Sequence, residues 1–192
     1  SNNDNNTGNT VLGKTAFNAG SDNASDYNVS VGELAMGTGS VSGANNNVAV
    51  GYKSLEDITS GDNNTSIGSQ TLAGLTDAED NTAVGYGSMF SLTTGDDNTA
   101  VGYGALYVNN ADSNTGIGHS AGFYTTGANN TYVGYQSGKG ASGAETNNTA
   151  VGKDALLSIT DGEGNTAIGT NAMSQAMDVG DANTAIGRNA LY

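Results

Sequence analysis

Carboxylates recur at one place in a regular pattern along this chain. Asp62, Glu79 with Asp80, Asp96 with Asp97, Asp112, Glu145, Asp161 with Glu163, and Asp178 with Asp181 each lie shortly ahead of an Asn-Thr pair, in segments rich in Gly, Asp and Asn. Carboxylates brought close together repel one another, and a hard cation with oxygen ligands relieves that repulsion. Calcium is therefore the first chemistry to expect, with Asp62, Asp80, Asp96, Asp97, Asp112, Asp161, Glu163 and Asp181 as candidate ligands; the alternative is a set of simply solvated turns. Asp161, Glu163 and Asn165 alternate as the opening of a calcium loop does, although without its glycine and closing Glu.

A second candidate set is aromatic. Tyr52, Tyr86, Tyr103 and Tyr135 recur at one position, with His119 among them. Facing outward, such rings would form a stripe that stacks on the faces of surface glycans or packs against another chain; the alternative is a ladder of rings that support one another. Catalysis has little material. His119 is the single histidine, cysteine is absent, and Lys14, Lys53, Lys139, Lys153 and Arg188 are dispersed. A carboxylate pair of the glycosidase type needs a cleft with bulky walls, and no segment between the repeats is long enough to build one. A non-enzymatic protein is expected.

What positions these groups is a repeat. A nonapeptide N-[TV]-x-[VIL]-G-x-x-[AST]-[LMF] opens at Asn9, Asn28, Asn47, Asn64, Asn81, Asn98, Asn114, Asn130, Asn148, Asn165 and Asn183, at intervals of 16 to 19 residues. Its fourth residue is always aliphatic, from Leu12 to Ile186, and a glycine always follows. The ninth is large and apolar (Phe17, Met36, Leu55, Leu72, Met89, Leu106, Leu156, Met173, Leu191) except at Gly122 and Gly138. Helical repeats are disfavoured, because every motif holds a glycine and no 3.6-residue apolar spacing is sustained. Thr-x-Val places two side chains on one face of a strand, and turns such as Thr93-Thr94-Gly95-Asp96-Asp97 suit left-handed backbone.

A period near 17 residues carries the chain once around a small coil and back above its start. The fold expected is all-β, a parallel β-solenoid of about eleven coils spanning residues 1–192, with residues 1–8 as a cap or subunit-contact segment. At about 4.8 Å per coil the rod would be on the order of 50 Å long. The fourth-position aliphatics are expected to stack as an interior column, and Asn47, Asn64, Asn81, Asn98, Asn114, Asn130, Asn148, Asn165 and Asn183 to hydrogen-bond from coil to coil. Around Gly122 and Gly138 a local bend or contact site is expected between Gly116 and Gly143, with Phe123 standing in for a missing apolar residue.

Composition sets further bounds. Five Lys and Arg against nineteen Asp and Glu, a net charge of −14, leave nothing to neutralise phosphates, so nucleic acid is excluded as a partner. No apolar run reaches membrane-spanning length. Without cysteine there are no disulfides, so stability must come from stacked coils, with bound ions as an optional addition. The sequence starts at Ser1 and ends inside a motif at Tyr192, which reads as a piece of a longer array or as ends covered by neighbouring subunits. The sequons at Asn5, Asn23, Asn63, Asn129 and Asn147 precede the motif and would be the exposed ones, whereas those on Asn28 and Asn64 would be internal.

The segment Asn-Thr-Ala-Val-Gly-Tyr-Gly-Ala-Leu from Asn98 to Leu106 resembles the tandem arrays of bacterial and phage proteins described as tail-fibre-like. More loosely the repeat is similar to the heads of trimeric autotransporter adhesins, whose motif has one more residue between Asn and Gly and a shorter coil. The resemblance covers Asn9 to Leu191. It implies an extracellular, cell-surface or virion fibre or adhesin and, through the adhesin heads, a left-handed winding and a trimer; the head-to-tail filament is instead the expectation from the ends of the array.

Overall fold

In the computed structural model the described residues are 8–17, 24–140, 145–158, 160, 162–175 and 180–192, so the cap expected over residues 1–8 lies outside them except for Gly8. Each copy of the motif yields one three-residue strand: β1 (Thr10–Leu12), β2 (Val29–Val31), β3 (Val48–Val50), β4 (Thr65–Ile67), β5 (Thr82–Val84), β6 (Thr99–Val101), β7 (Thr115–Ile117), β8 (Thr131–Val133), β9 (Thr149–Val151), β10 (Thr166–Ile168) and β11 (Thr184–Ile186). The strands form a single parallel sheet in chain order, each residue opposite its equivalent in the next copy. This is a parallel β-solenoid, with no helix among the described residues.

Short strands and tight corners have one cause, a backbone that reverses at fixed places. In the coil that opens at Asn98, φ is positive at Asp97, Gly102, Gly104 and Leu106, and the same four places recur in the neighbouring coils. At the glycine after the strand no other residue fits. A Cβ on Gly102 would lie 2.5 Å from the carbonyl oxygen of Gly118 in the next coil, at a φ of 137°. Leucine and methionine at the ninth position hold φ near 50°, a conformation that costs about 1–3 kcal/mol for such residues. Burial offsets it from Met36 to Met173, where these side chains are fully enclosed and each contributes about 1.5–3 kcal/mol; Leu191 is 61% exposed.

The interior corrects one expectation. The fourth-position aliphatics face outward: Ile67, Val101, Ile117, Val151 and Ile168 remain between 37 and 42% exposed. Inside lies the third position, mostly alanine or serine, as at Ala49, Ser66, Ala83 and Ala100, packed with the Leu/Met column. Volume decides the orientation. Leu55, Leu72, Met89 and Leu106, with Ile58, Leu75 and Leu92, fill a narrow core, so the strand can turn only small side chains toward it.

Gly122 and Gly138 do not break the register either, since β7 pairs with β8 and β8 with β9 residue for residue. Their backbone keeps the left-handed conformation of the leucines they replace. Tyr132, in the third position, fills the vacated space, and Phe123 does not: it stands partly exposed on the surface. What does change is the apolar core, which divides there into one cluster ending at Leu106 and another beginning at Ala121.

Candidate functional site

Polar and aromatic side chains form four columns on the described rod, each at one place in the coil; the asparagines run its length and the others only part of it. The asparagine column is internal. Asn47 Oδ1 accepts from the backbone N–H of Asn64 (2.9 Å) and from its Nδ2 (3.2 Å), while Asn47 Nδ2 donates to Asn28 Oδ1 (3.1 Å) and to the carbonyl of Gly61 (2.8 Å). The pattern repeats at Asn64, Asn81 and Asn98 and continues to Asn114, Asn130, Asn148, Asn165 and Asn183. Only an amide has an acceptor and two donors on one planar group. The column satisfies buried backbone groups at the corner where the sheet begins, which makes it a structural ladder. Asn28 and Asn64 are fully buried and Asn63, Asn129 and Asn147 exposed, as the sequence indicates; Asn5 and Asn23 lie outside the described residues.

The acidic column lies two residues before the asparagines, and its carboxylates already have work. Asp62 Oδ1 accepts from the N–H of Asn45 (2.6 Å), Asp96 from Glu79 (2.8 Å), Asp112 from Asp96 (3.1 Å) and Asp181 from Glu163 (3.0 Å). Each acid therefore caps a backbone donor one coil away. Asp80 and Asp97 occupy the exposed left-handed corner beside it, and Glu163 accepts from Asn147 Nδ2 at 3.1 Å. Asp161 and Asp178 lie outside the described residues. Among the described residues no three His, Cys, Asp or Glu side chains converge on a point where a metal ion could sit. Glu145 differs from the expectation of a solvated turn, being only 1% exposed; it takes a place that is Gly or Ala in most other coils, as at Ala44, Gly61, Ala78 and Gly95.

The tyrosines face outward, 46–53% exposed. Tyr86, Tyr103, His119 and Tyr135 form a continuous stack with ring centroids 5.3, 4.9 and 5.3 Å apart. Lys153 Nζ lies 5.8 Å from the Tyr135 ring at one end, and at the other the Tyr86 hydroxyl donates to Gln70 Oε1 (2.7 Å). Tyr52 stands apart because Ser69 occupies the intervening coil, and its ring meets Lys53 Nζ at 5.7 Å. Stacking uses the ring faces, so the stripe offers edges and hydroxyls to solvent. His119 Nδ1 lies 3.0 Å from Ser120 Oγ and is one rung of this stack.

Sequence reasoning missed two features. One is the buried trio of Tyr132, Thr125 and Glu145, all at most 1% exposed. Burial foremost, then the Glu145 charge, pushes the Tyr132 hydroxyl well above its usual pKa, and Thr125 partly counters that. The signal was present as opposite departures in size, a tyrosine where alanine is usual beside glycines where leucine is usual. The second feature is a further aromatic column at Phe90, Tyr107 and Phe123, one residue beyond the nonapeptide. No protein-family model, curated protein or solved structure matches the chain.

Proposed function

We propose that this chain is a module of an extracellular fibre or adhesin, a stiff rod that associates with further copies of itself along its sheet face. One observation carries the reading: the outward face of the eleven-stranded sheet is two uncharged columns, one nearly all threonine and the other Val, Ile or Leu. On a chain of net charge −14 a neutral, partly apolar stripe of this length is a contact surface. Copies share the same coil spacing, so one contact made between two rods recurs at every strand. Eleven strands at about 4.8 Å make a face roughly 50 Å by 10 Å, about 500 Å² per partner and about 1,000 Å² in all, the lower end of specific interfaces. Strand-on-strand pairing of the kind inside each rod would also join rods end to end. The resemblance to tail-fibre-like arrays and adhesin heads supports the same role at a cell or virion surface, with a trimer as one outcome.

Analytical ultracentrifugation tests it. The chain should sediment as a dimer, trimer or longer assembly at tens of micromolar, and Val101→Glu with Val133→Glu, both on the sheet face, should return it to monomers while leaving the melting temperature of the rod near the parent value. A parent chain that stays monomeric at that concentration overturns the reading.

A further inference from the structure

Phe90, Tyr107 and Phe123 stack with centroids 5.1 and 4.7 Å apart and ring planes within 10° of parallel. Together with the Tyr86–Tyr103–His119 stack they make two parallel aromatic ladders on the same part of the rod. Between them runs a groove of about 440 Å³, with Tyr86 and Tyr103 on one wall, Tyr107 and Phe123 on the other, and Tyr124 at its rim. Glycine makes the floor. A Cβ on Gly104 would meet the Phe123 ring at 3.0 Å, and one on Gly87 the Tyr107 ring at 3.3 Å.

The rod does not need this arrangement to stack. The same two positions hold Glu33 and Gly37, Ser69 and Ala73, or Thr170 and Ser174 in other coils, and those coils pair in the same register. Both positions are aromatic only in three consecutive coils, as Tyr86 with Phe90, Tyr103 with Tyr107 and His119 with Phe123. Such a local departure from the repeat is a feature of the surface and not of the core.

Its chemistry narrows the occupant. No charged side chain lines the groove although the chain carries −14 overall, so it offers no charge to hold a polyanion. Ring faces are taken up by stacking, which leaves edges that carry the positive end of the aromatic quadrupole and suit oxygen lone pairs. Tyr103, Tyr107 and Tyr124 have hydroxyls with no hydrogen-bond partner on the described protein, and a phenol both donates and accepts. Uncharged sugars match that surface, with ring oxygens for the edges and hydroxyls for the phenols. Along the axis the rings recur every 4.7–5.3 Å, close to the advance per sugar of an extended β-1,4-linked hexopyranose chain. We propose that the groove binds a neutral, extended β-1,4-linked polysaccharide lying parallel to the rod across these three coils. The groove shares no residue with the sheet face, so this binding is independent of self-association.

Titration calorimetry with cellohexaose and chitohexaose, and with hexagalacturonate as the acidic counterpart, tests the assignment. At least one neutral probe should bind, and at least tenfold tighter than the acidic one. Tyr107→Ala should weaken binding at least tenfold, and Tyr52→Ala, outside the groove, should leave it unchanged. Because Tyr107→Ala could disturb the stack itself, the double variant Tyr103→Phe, Tyr107→Phe keeps both rings and removes only the hydroxyls; it should melt like the parent and bind severalfold more weakly. Absence of binding by both neutral probes, equal affinity for hexagalacturonate, or unchanged affinity in the Phe variants would overturn the proposal. So would loss of self-association in Tyr107→Ala, which would assign the groove to a second copy of this chain.

Discussion

The ring of Tyr132 occupies the space that a side chain on Gly138 would need, and the same ring closes over Gly122, where an added Cβ would stand 2.8 Å from Tyr132 Cδ2. One large residue on the strand thus replaces two large residues at the corner. Each half of the exchange should fail alone. Tyr132→Ala leaves a cavity and should cost about 3–5 kcal/mol, while Gly138→Leu drives a side chain into the ring. Together, Tyr132→Ala and Gly138→Leu restore the alanine and leucine of the Asn98 coil and should recover much of the loss. Chemical denaturation across this double-mutant cycle measures it, and simple additivity of the two losses would refute the exchange.

Burial of Tyr132 also sets an alkaline limit. Its hydroxyl is held above the usual value of 10.0 in the folded chain, so the folded state keeps a proton that the unfolded state releases. The stability linked to this proton is complete below pH 10 and falls above it, by about 1.4 kcal/mol per pH unit, until the folded group itself titrates. Urea titrations from pH 9 to 11 should show this decline, and Tyr132→Phe should flatten it. An unchanged slope in the Phe variant would mean that other tyrosines carry the effect.

The asparagine ladder predicts a sharp contrast within one strand. Asn81 Oδ1 accepts from Asn98 N–H (3.0 Å), and its Nδ2 donates to Asn64 Oδ1 (3.2 Å) and to the carbonyl of Gly95 (2.9 Å). Asn81→Ala orphans several buried groups at once and should cost roughly 3–5 kcal/mol, at about 1–3 kcal/mol per unsatisfied group. Thr82→Ala, next in sequence but exposed, should stay within about 0.5 kcal/mol. Thermal melts of the two variants check it; similar losses would remove the ladder from the account of stability.

Periodicity made the solenoid, its parallel register and its asparagine column legible, because a residue that must meet its own copy in the next coil cannot drift. Which side of the strand faces in was not legible. Alternation in Thr99-Ala100-Val101 pairs Thr with Val but leaves the choice of face open, and hydropathy favours the wrong one. Leu106 settles it by taking the interior volume, so Ala100 must be its neighbour. Tyr107 and Phe123 were not legible because they stand one residue beyond the nonapeptide, at a place that varies from coil to coil, as at Glu56, Ala73 and Ser174. Tyr132 was not legible because its partner Gly138 lies in a different motif position, where only packing connects them.

The acidic turns yield the last prediction, from a substitution the chain already contains. Asn45 does in its coil what Asp62 and Asp96 do in theirs: its Oδ1 accepts from the N–H of Asp26 at 2.8 Å. An amide oxygen is therefore sufficient for the cap. Asp96→Asn should keep the bond to Glu79 N–H, remove one charge from a repelling column, and leave the melting temperature equal to or slightly above that of the parent, whereas Asp96→Ala should lose about 1 kcal/mol. Calcium ligation would give the opposite order in calcium-containing buffer, since a bound ion stabilises the folded state and losing a carboxylate ligand weakens that linkage. Differential scanning fluorimetry of the parent, Asp96→Asn and Asp96→Ala, each with calcium and with chelator, separates the two. A melting temperature that drops for Asp96→Asn only when calcium is present would reassign this column from backbone capping to metal binding.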